Sequence, residues 1–224
     1  MSLGDNMSRW TLGKMQNPVR GFLHGSAAVA SIVGTVFLML RADSWPARFA
    51  VIVFGIGLFG LFTTSSLYHS VPWHQVWKVR MQRLDHSMIF VLIAASFTPI
   101  GVLILDGPWR WVAMVVAWGI ALVGILQRMF ASMDRHVFSF TLMVVLGWLS
   151  VPIMVPLASR AGTAAVALMA TGGLLYTVGM VFKVTRWPKL WPQVFSAHEL
   201  FHVFVVAASA FHWTATYRYV LTAA

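Results

Sequence analysis

Long apolar runs, separated by short polar connections, are the feature of this chain that most constrains its fold. A helix needs about 20 apolar residues to cross a bilayer, and seven runs approach or exceed that length. The predicted spans are 20–40, 47–70, 84–105, 110–128, 137–158, 163–183 and 196–217. Their length and lack of strict alternation favour helices over barrel strands. We therefore predict an all-α integral membrane protein, a seven-transmembrane-helix bundle that forms one domain over residues 1–224.

Composition also indicates a lipid environment. Hydrophobic residues make up 59% of the chain and charged residues 10%, too few to cover the surface of a soluble domain. The net charge of +10 comes from cations in the connections, often beside tryptophan, as in "VPWHQVWKVR". This placement is typical of contact with lipid headgroups and does not favour nucleic acid. The absence of cysteine excludes disulfides and cysteine-ligated metals.

The distribution of lysine and arginine predicts the orientation of the bundle. The side of the amino terminus holds eleven of these cations: Arg9, Lys14, Arg20, Lys78, Arg80, Arg83, Arg128, Arg135, Lys183, Arg186 and Lys189. The other side holds five: Arg41, Arg48, Arg110, Arg160 and Arg218. The positive-inside rule places the amino terminus, with a polar tail over 1–19, in the cytoplasm and the carboxyl terminus outside. The tail lacks the apolar core of a cleavable signal, so we expect a multi-pass protein of the cell membrane.

A few ionisable residues fall at one end of the predicted spans. His69 ends the second span, Asp85 starts the third, and His198 and His202 start the seventh. In the predicted orientation all four lie at the cytoplasmic ends of their helices. Ionisable groups at membrane depth are costly and usually mark a functional site, so we expect these side chains to converge.

The residue types in this group suit a zinc site. His198 and His202, four apart, share a helix face and can reach one ion. His69 would complete a shell of three imidazoles, which suits zinc and leaves a fourth position for water or substrate. Asp85 could hold and deprotonate a water there, or orient a ligand. Ser65, one turn before His69, could donate to a ligand or to a developing oxyanion.

Other interpretations of the same residues remain open. Two histidines four apart more often pack or hydrogen-bond than bind metal, Ser65 could bond to its own helix, and Asp85 could pair with Arg83. "HELFH" also matches the zinc metalloprotease signature, with Glu199 as the general base. The carboxylate of Asp85 at the same depth weakens the protease interpretation. His212 would lie roughly 15 Å farther across the bilayer, in the outer leaflet.

Three segments resemble the hemolysin III family: "SSLYHS", "RLDHSMIFVLIAASFTPIGVL" and "HELFHVFVVAASAFHW". This family is the bacterial branch of the progestin and adipoQ receptor (PAQR) proteins, which are related to the alkaline ceramidases. The resemblance implies that His69, His198 and His202 are zinc ligands. It further implies that Asp85 holds the water at the metal and that Ser65 supplies a nearby hydroxyl.

The chain departs from the family pattern at the first span, where the local sequence is "NPVRGFLH". Arg20 stands where the family usually has asparagine, and the preceding acidic residue is missing. His24 can be matched to the family histidine, and we interpret it as a structural partner beneath the site. Glu199 is acidic at a position where the family does not require an acid.

The resemblance implies a zinc-dependent hydrolase of a lipid-like amide or ester that enters from the bilayer. A second hypothesis is a non-enzymatic membrane sensor, receptor or homeostasis protein with structural zinc. A pore-forming hemolysin is a third, although no continuous polar face crosses the predicted spans. The expected partners are membrane lipid and a lipid-like small molecule.

Overall fold

The computed structural model describes residues 15–130, 136–191 and 194–223, and these ranges are helical, with no β-sheet. The side chains of residues 136 and 137 are also outside the description. Most of the predicted polar tail, with Arg9 and Lys14, and the predicted inner cation Arg135 lie outside these ranges. The prediction of an all-helical protein is confirmed for the described chain.

Eight α-helices occupy the described ranges. They are α1 Pro18–Arg41, α2 Trp45–Ser70, α3 Gln75–Leu103, α4 Gly107–Phe130, α5 His136–Trp148, α6 Met154–Ala161, α7 Thr163–Thr185 and α8 Ala197–Ala215. A 3₁₀ turn, Val151–Ile153, joins α5 to α6, and a π-helical turn, Thr216–Val220, follows α8.

Six segments of the described chain are long and apolar enough to cross a membrane: α1, α2, α3, α4, Phe138–Ala161 and α7. Together they make this a multi-pass membrane protein. The 19 residues of α8 include three histidines and Glu199, which lower its mean hydropathy. The helix that carries two of the three predicted metal ligands is therefore not among the six segments that qualify by length and composition.

Two predicted spans differ from the helices. The third span was expected to begin at residue 84, but α3 begins at Gln75. Its first turns are polar, and they continue the helix beyond its apolar part. In these turns Arg80 lies 5.0 Å over the Trp77 ring. The fifth was expected to be continuous over 137–158, but it breaks between α5 and α6. Pro152 lies in this break. Proline has no backbone N–H to donate, and its ring disfavours a helical conformation of the preceding residue, so an uninterrupted helix is disfavoured here.

Neighbouring long helices pack antiparallel, as their short connections predict. The Ser66 hydroxyl on α2 donates to the Gly21 carbonyl on α1 at 2.8 Å. The Tyr176 hydroxyl on α7 and the Ser209 hydroxyl on α8 are 2.8 Å apart.

Helices α1 and α8, far apart along the chain, run parallel and in register. Three side-chain contacts join them, and in each the residue on α8 follows its partner on α1 by 178 or 179 positions. The three pairs are Arg20–Glu199, His24–His202 and Gly34–Trp213. The first two lie at the amino-terminal ends of both helices, where the predicted site residues are.

Small residues permit the closest helix contacts, as expected for membrane spans. A Cβ at Gly57 on α2 would lie 2.6 Å from the Ala95 Cβ on α3. A Cβ at Gly172 on α7 would lie 2.4 Å from the His212 ring on α8. Gly57 therefore permits the close approach of α2 to α3, and Gly172 permits that of α7 to α8.

Candidate metal centre

Three imidazoles from two helices meet at the amino-terminal end of α8. One ring nitrogen from each of His69, His198 and His202 lies within 4.8 Å of the other two. His69 and His202 are buried, at 3% and 2% exposure, and His198 is partly buried. His198 and His202 are stacked, with ring centroids 4.9 Å apart, because they lie one turn apart on α8. His69 on α2 approaches both rings edge-on.

The nitrogens of this cluster fit a metal ion. Among the described residues, Nε2 of His69 and Nε2 of His202 are buried without a hydrogen-bond partner. A buried polar atom without a partner costs about 1–3 kcal/mol, and coordination would remove that cost. Two nitrogens on one zinc ion, each about 2.0–2.1 Å from it, lie at most about 4.2 Å apart. Small side-chain rotations would bring all three donors into this range.

His24 on α1 orients the His202 ring. A ring nitrogen of His24 lies 2.9 Å from Nδ1 of His202, and the ring centroids are 4.2 Å apart. This hydrogen bond occupies Nδ1 and leaves Nε2 for a metal, the arrangement usual for histidine ligands whose second nitrogen binds a protein partner. His24 therefore contacts a predicted metal ligand, and its role as a structural partner stays a prediction.

A buried carboxylate adjoins the imidazoles. Asp85 on α3 is 6% exposed and accepts a hydrogen bond from Ser65 on α2, which is 1% exposed. Ser65 lies one helical turn from His69, so this contact places the carboxylate beside the cluster. Lys183, near the end of α7, is within electrostatic range of Asp85 and of His69. Its ammonium lies 4.6 Å over the Phe201 ring.

Glu199 takes a structural role in the same region. One carboxylate oxygen accepts from Nε of Arg20 at 2.6 Å, and the other accepts from the backbone N–H of Ser196 at 2.7 Å and from its hydroxyl. Ser196 is the N-cap of α8, and with Glu199 it forms a capping box. Both oxygens are thus engaged away from the three rings, which argues against Glu199 as the base of a metalloprotease.

The five predicted site residues all lie in this region. The structure brings His69, His198 and His202 together, and it joins Ser65 to Asp85 by a hydrogen bond. Their chemical roles stay predictions. His212, predicted to lie apart, contacts the Met169 carbonyl at 3.3 Å instead of the cluster.

Sequence reasoning missed two residues of this region. Lys183 was counted only as an inner-side cation. Its position near the end of a span nevertheless indicated that it lies at the same depth in the membrane as the site. Arg20 was interpreted only as an inner-side cation and as a departure from the family motif. No local pattern links Arg20 to Glu199, because 179 positions separate them.

Comparison with known proteins identifies the family of the chain. The family model "Haemolysin-III related" matches residues 13–213. The chain belongs to the haemolysin III family. It is 31% identical to Hemolysin-3 of Bacillus cereus over 224 residues, which cover 98% of this chain and 99% of the relative. It is also 31% identical to the Hemolysin-3 homolog of Bacillus subtilis (strain 168), over 84% of this chain and 86% of the relative.

The family extends to animals and to the PAQR proteins. The human Monocyte to macrophage differentiation factor is 27% identical over 209 residues, covering 88% of this chain and 82% of the relative. The family membership predicted from the three motifs is confirmed. All three haemolysin III motif segments lie inside the matched residues, and they contribute every residue of the imidazole cluster and the Asp85–Ser65 pair.

Proposed function

We propose that this haemolysin III protein is a zinc-dependent hydrolase of a lipid-like amide or ester. The observation that supports this most directly is the adjacency of three imidazoles, two of them with an Nε2 atom that has no hydrogen-bond partner, to a buried Asp85–Ser65 pair. Zinc would be held by His69, His198 and His202, and when bound it would polarise the substrate carbonyl and acidify water. Three protein ligands leave one position for substrate chemistry.

The protein groups around that position would manage protons and charge. Asp85 would accept the proton of the attacking water as general base. The Ser65 hydroxyl donates to Asp85 in the structure and would hold that carboxylate in place, or turn to the developing oxyanion. Lys183 would balance the charge of Asp85 in a region poor in water.

Hydrolysis and its dependence on metal are measured with the purified protein in lipid nanodiscs. The kinship of the PAQR proteins to the alkaline ceramidases makes acyl-amide lipids the first substrates to test, by analogy. We expect release of fatty acid that stops when a chelator removes the metal and returns on addition of Zn²⁺. Turnover that persists in fully metal-free protein would contradict the proposal.

His24 favours a second candidate, a non-enzymatic sensor or receptor with structural zinc. Its ring is already 4.2 Å from His202, and as a fourth ligand it would close the shell, as in structural sites. The name of the human relative, a differentiation factor, agrees with a signalling role. X-ray absorption spectroscopy distinguishes the two by the number of imidazole rings around the metal, since the hydrolase predicts three rings and the structural site predicts four.

We also propose that the bundle has seven membrane crossings, with the cytoplasm at the site end, in the plasma membrane. Six segments of the described chain qualify by length and composition. The parallel contacts of α8 with α1 support a seventh crossing, since α8 follows α1 from Arg20–Glu199 to Gly34–Trp213. Five crossings lie between α1 and α8. If α8 crosses in the same direction as α1, the total number of crossings is seven, and the two termini lie on opposite sides of the membrane.

Cysteine mapping tests this topology without removal of native thiols, because the chain has no cysteine. In intact cells, a membrane-impermeant maleimide is expected to label Thr222→Cys. It should label Lys189→Cys only after permeabilisation, and both positions are exposed. Labelling of both variants from the same side would rule out an odd number of crossings between them.

A further inference from the structure

Arg20 on α1 and Glu199 on α8 contact each other. Arg20 lies in the first turn of α1, and Glu199 lies between the two histidines that α8 contributes to the imidazole cluster. We propose that they form a positioning pair, which holds α1 against α8 so that the imidazole cluster keeps its metal-binding geometry. This inference rests on the proposed binding of zinc by His69, His198 and His202.

The first support is the contact itself. Nε of Arg20 lies 2.6 Å from Oε1 of Glu199, and each residue is only 5% exposed. By contrast, the pairs that Asp106 forms with Arg110 and Arg160 are exposed. A buried pair constrains its partners strongly, because loss of one partner leaves an uncompensated charge.

The second support is that the Glu199 carboxylate connects α1, the N-cap residue Ser196 and the first turn of α8. One oxygen binds Arg20 on α1, and the other binds the backbone N–H and hydroxyl of Ser196. The Ser196 hydroxyl in turn accepts from the backbone N–H of His198 at 3.3 Å. A single side chain therefore ties α1 to the capped first turn of α8, and His198 is part of that turn.

The third support is the position of His24. It lies four residues after Arg20, on the same face of α1, and binds Nδ1 of His202, which lies three residues after Glu199. The ion pair and the imidazole pair are thus consecutive contacts between the same two helices. Rotation or sliding of α1 would break both, and the His202 ring would lose the bond that directs Nε2 to the cluster.

The rate of zinc release measures directly whether the Arg20–Glu199 pair maintains the metal-binding geometry. Arg20→Gln, Glu199→Gln and the double variant are loaded with Zn²⁺, and its transfer to excess chelator is followed over time. Loss of a partner behind a metal ligand typically weakens metal binding by about 10–100-fold. We expect each single variant to release zinc at least about tenfold faster than the wild type. Arg160→Gln, which breaks the exposed pair with Asp106, should release it at the wild-type rate.

The double variant tests whether the two residues act as a unit. If they do, the double variant releases zinc no faster than the faster single variant, because the second substitution removes an interaction already lost. Multiplied effects in the double variant, or wild-type rates in all three variants, would overturn the inference.

Thermal unfolding separates positioning from general stabilisation of the bundle. The Arg20→Gln change is made in the zinc-loaded wild type and in a metal-free His69→Ala background. A positioning pair predicts a larger loss of Tm in the zinc-loaded protein, and equal losses would show a purely structural pair and overturn the inference. A wild type that binds no zinc would instead overturn the proposed metal site, and this inference with it.

Discussion

Replacement of His202 by alanine is expected to abolish tight zinc binding. His202 combines the deepest burial of the three imidazoles, a ring nitrogen without a partner and a second nitrogen held by His24. Loss of a group behind a ligand costs about 10–100-fold in metal affinity, so loss of the ligand itself should exceed about 100-fold. Elemental analysis of the purified protein should give a zinc-to-protein ratio near one for the wild type and near zero for the variant.

His212→Ala is the matched control for this experiment. His212 is also a buried histidine of α8, but it contacts the Met169 carbonyl on α7 and stands apart from the cluster. It tests whether loss of a buried imidazole from this helix is enough to release metal. We expect His212→Ala to keep its zinc. Equal zinc in the wild type and the His202→Ala variant would contradict the proposed ligand set.

The Asp85→Asn substitution is expected to stop hydrolysis while zinc remains bound. Asparagine keeps the size of the side chain and its bond to Ser65 but cannot accept the proton of the attacking water. A general base typically contributes about 10²–10⁴-fold to the rate, so kcat on an acyl-amide substrate should fall by this factor. The measurement is single-substrate kinetics in nanodiscs, with zinc content determined on the same sample.

Asp106→Asn provides the comparison for Asp85→Asn. It removes a carboxylate of equal size that is exposed and pairs with Arg160, at the opposite end of the bundle from the imidazoles. Its kcat should match the wild type. An Asp85→Asn protein that retains zinc and full turnover would exclude Asp85 as the general base.

The sequence predicted the parts of this protein that depend on local pattern. Apolar runs of spanning length predicted the long helices, since a segment in lipid must satisfy its backbone hydrogen bonds within itself. The rarity of ionisable residues in these runs singled out His69, Asp85, His198 and His202, because the cost of burying such groups limits them to functional positions. The spacing of the motifs predicted the haemolysin III family.

Tertiary packing decided which of these side chains meet and what holds them. The close approach of α2 to α3 at Gly57 accompanies the bond between Ser65 and Asp85, and a residue pattern along one helix carries no information about such a contact. The parallel register of α1 and α8 likewise makes His24 a partner of His202 and makes Arg20 a partner of Glu199. The sequence therefore indicated that these polar groups lie near the ends of their helices, whereas the partners of Arg20 and His24 arise only when helices nearly 180 residues apart pack together.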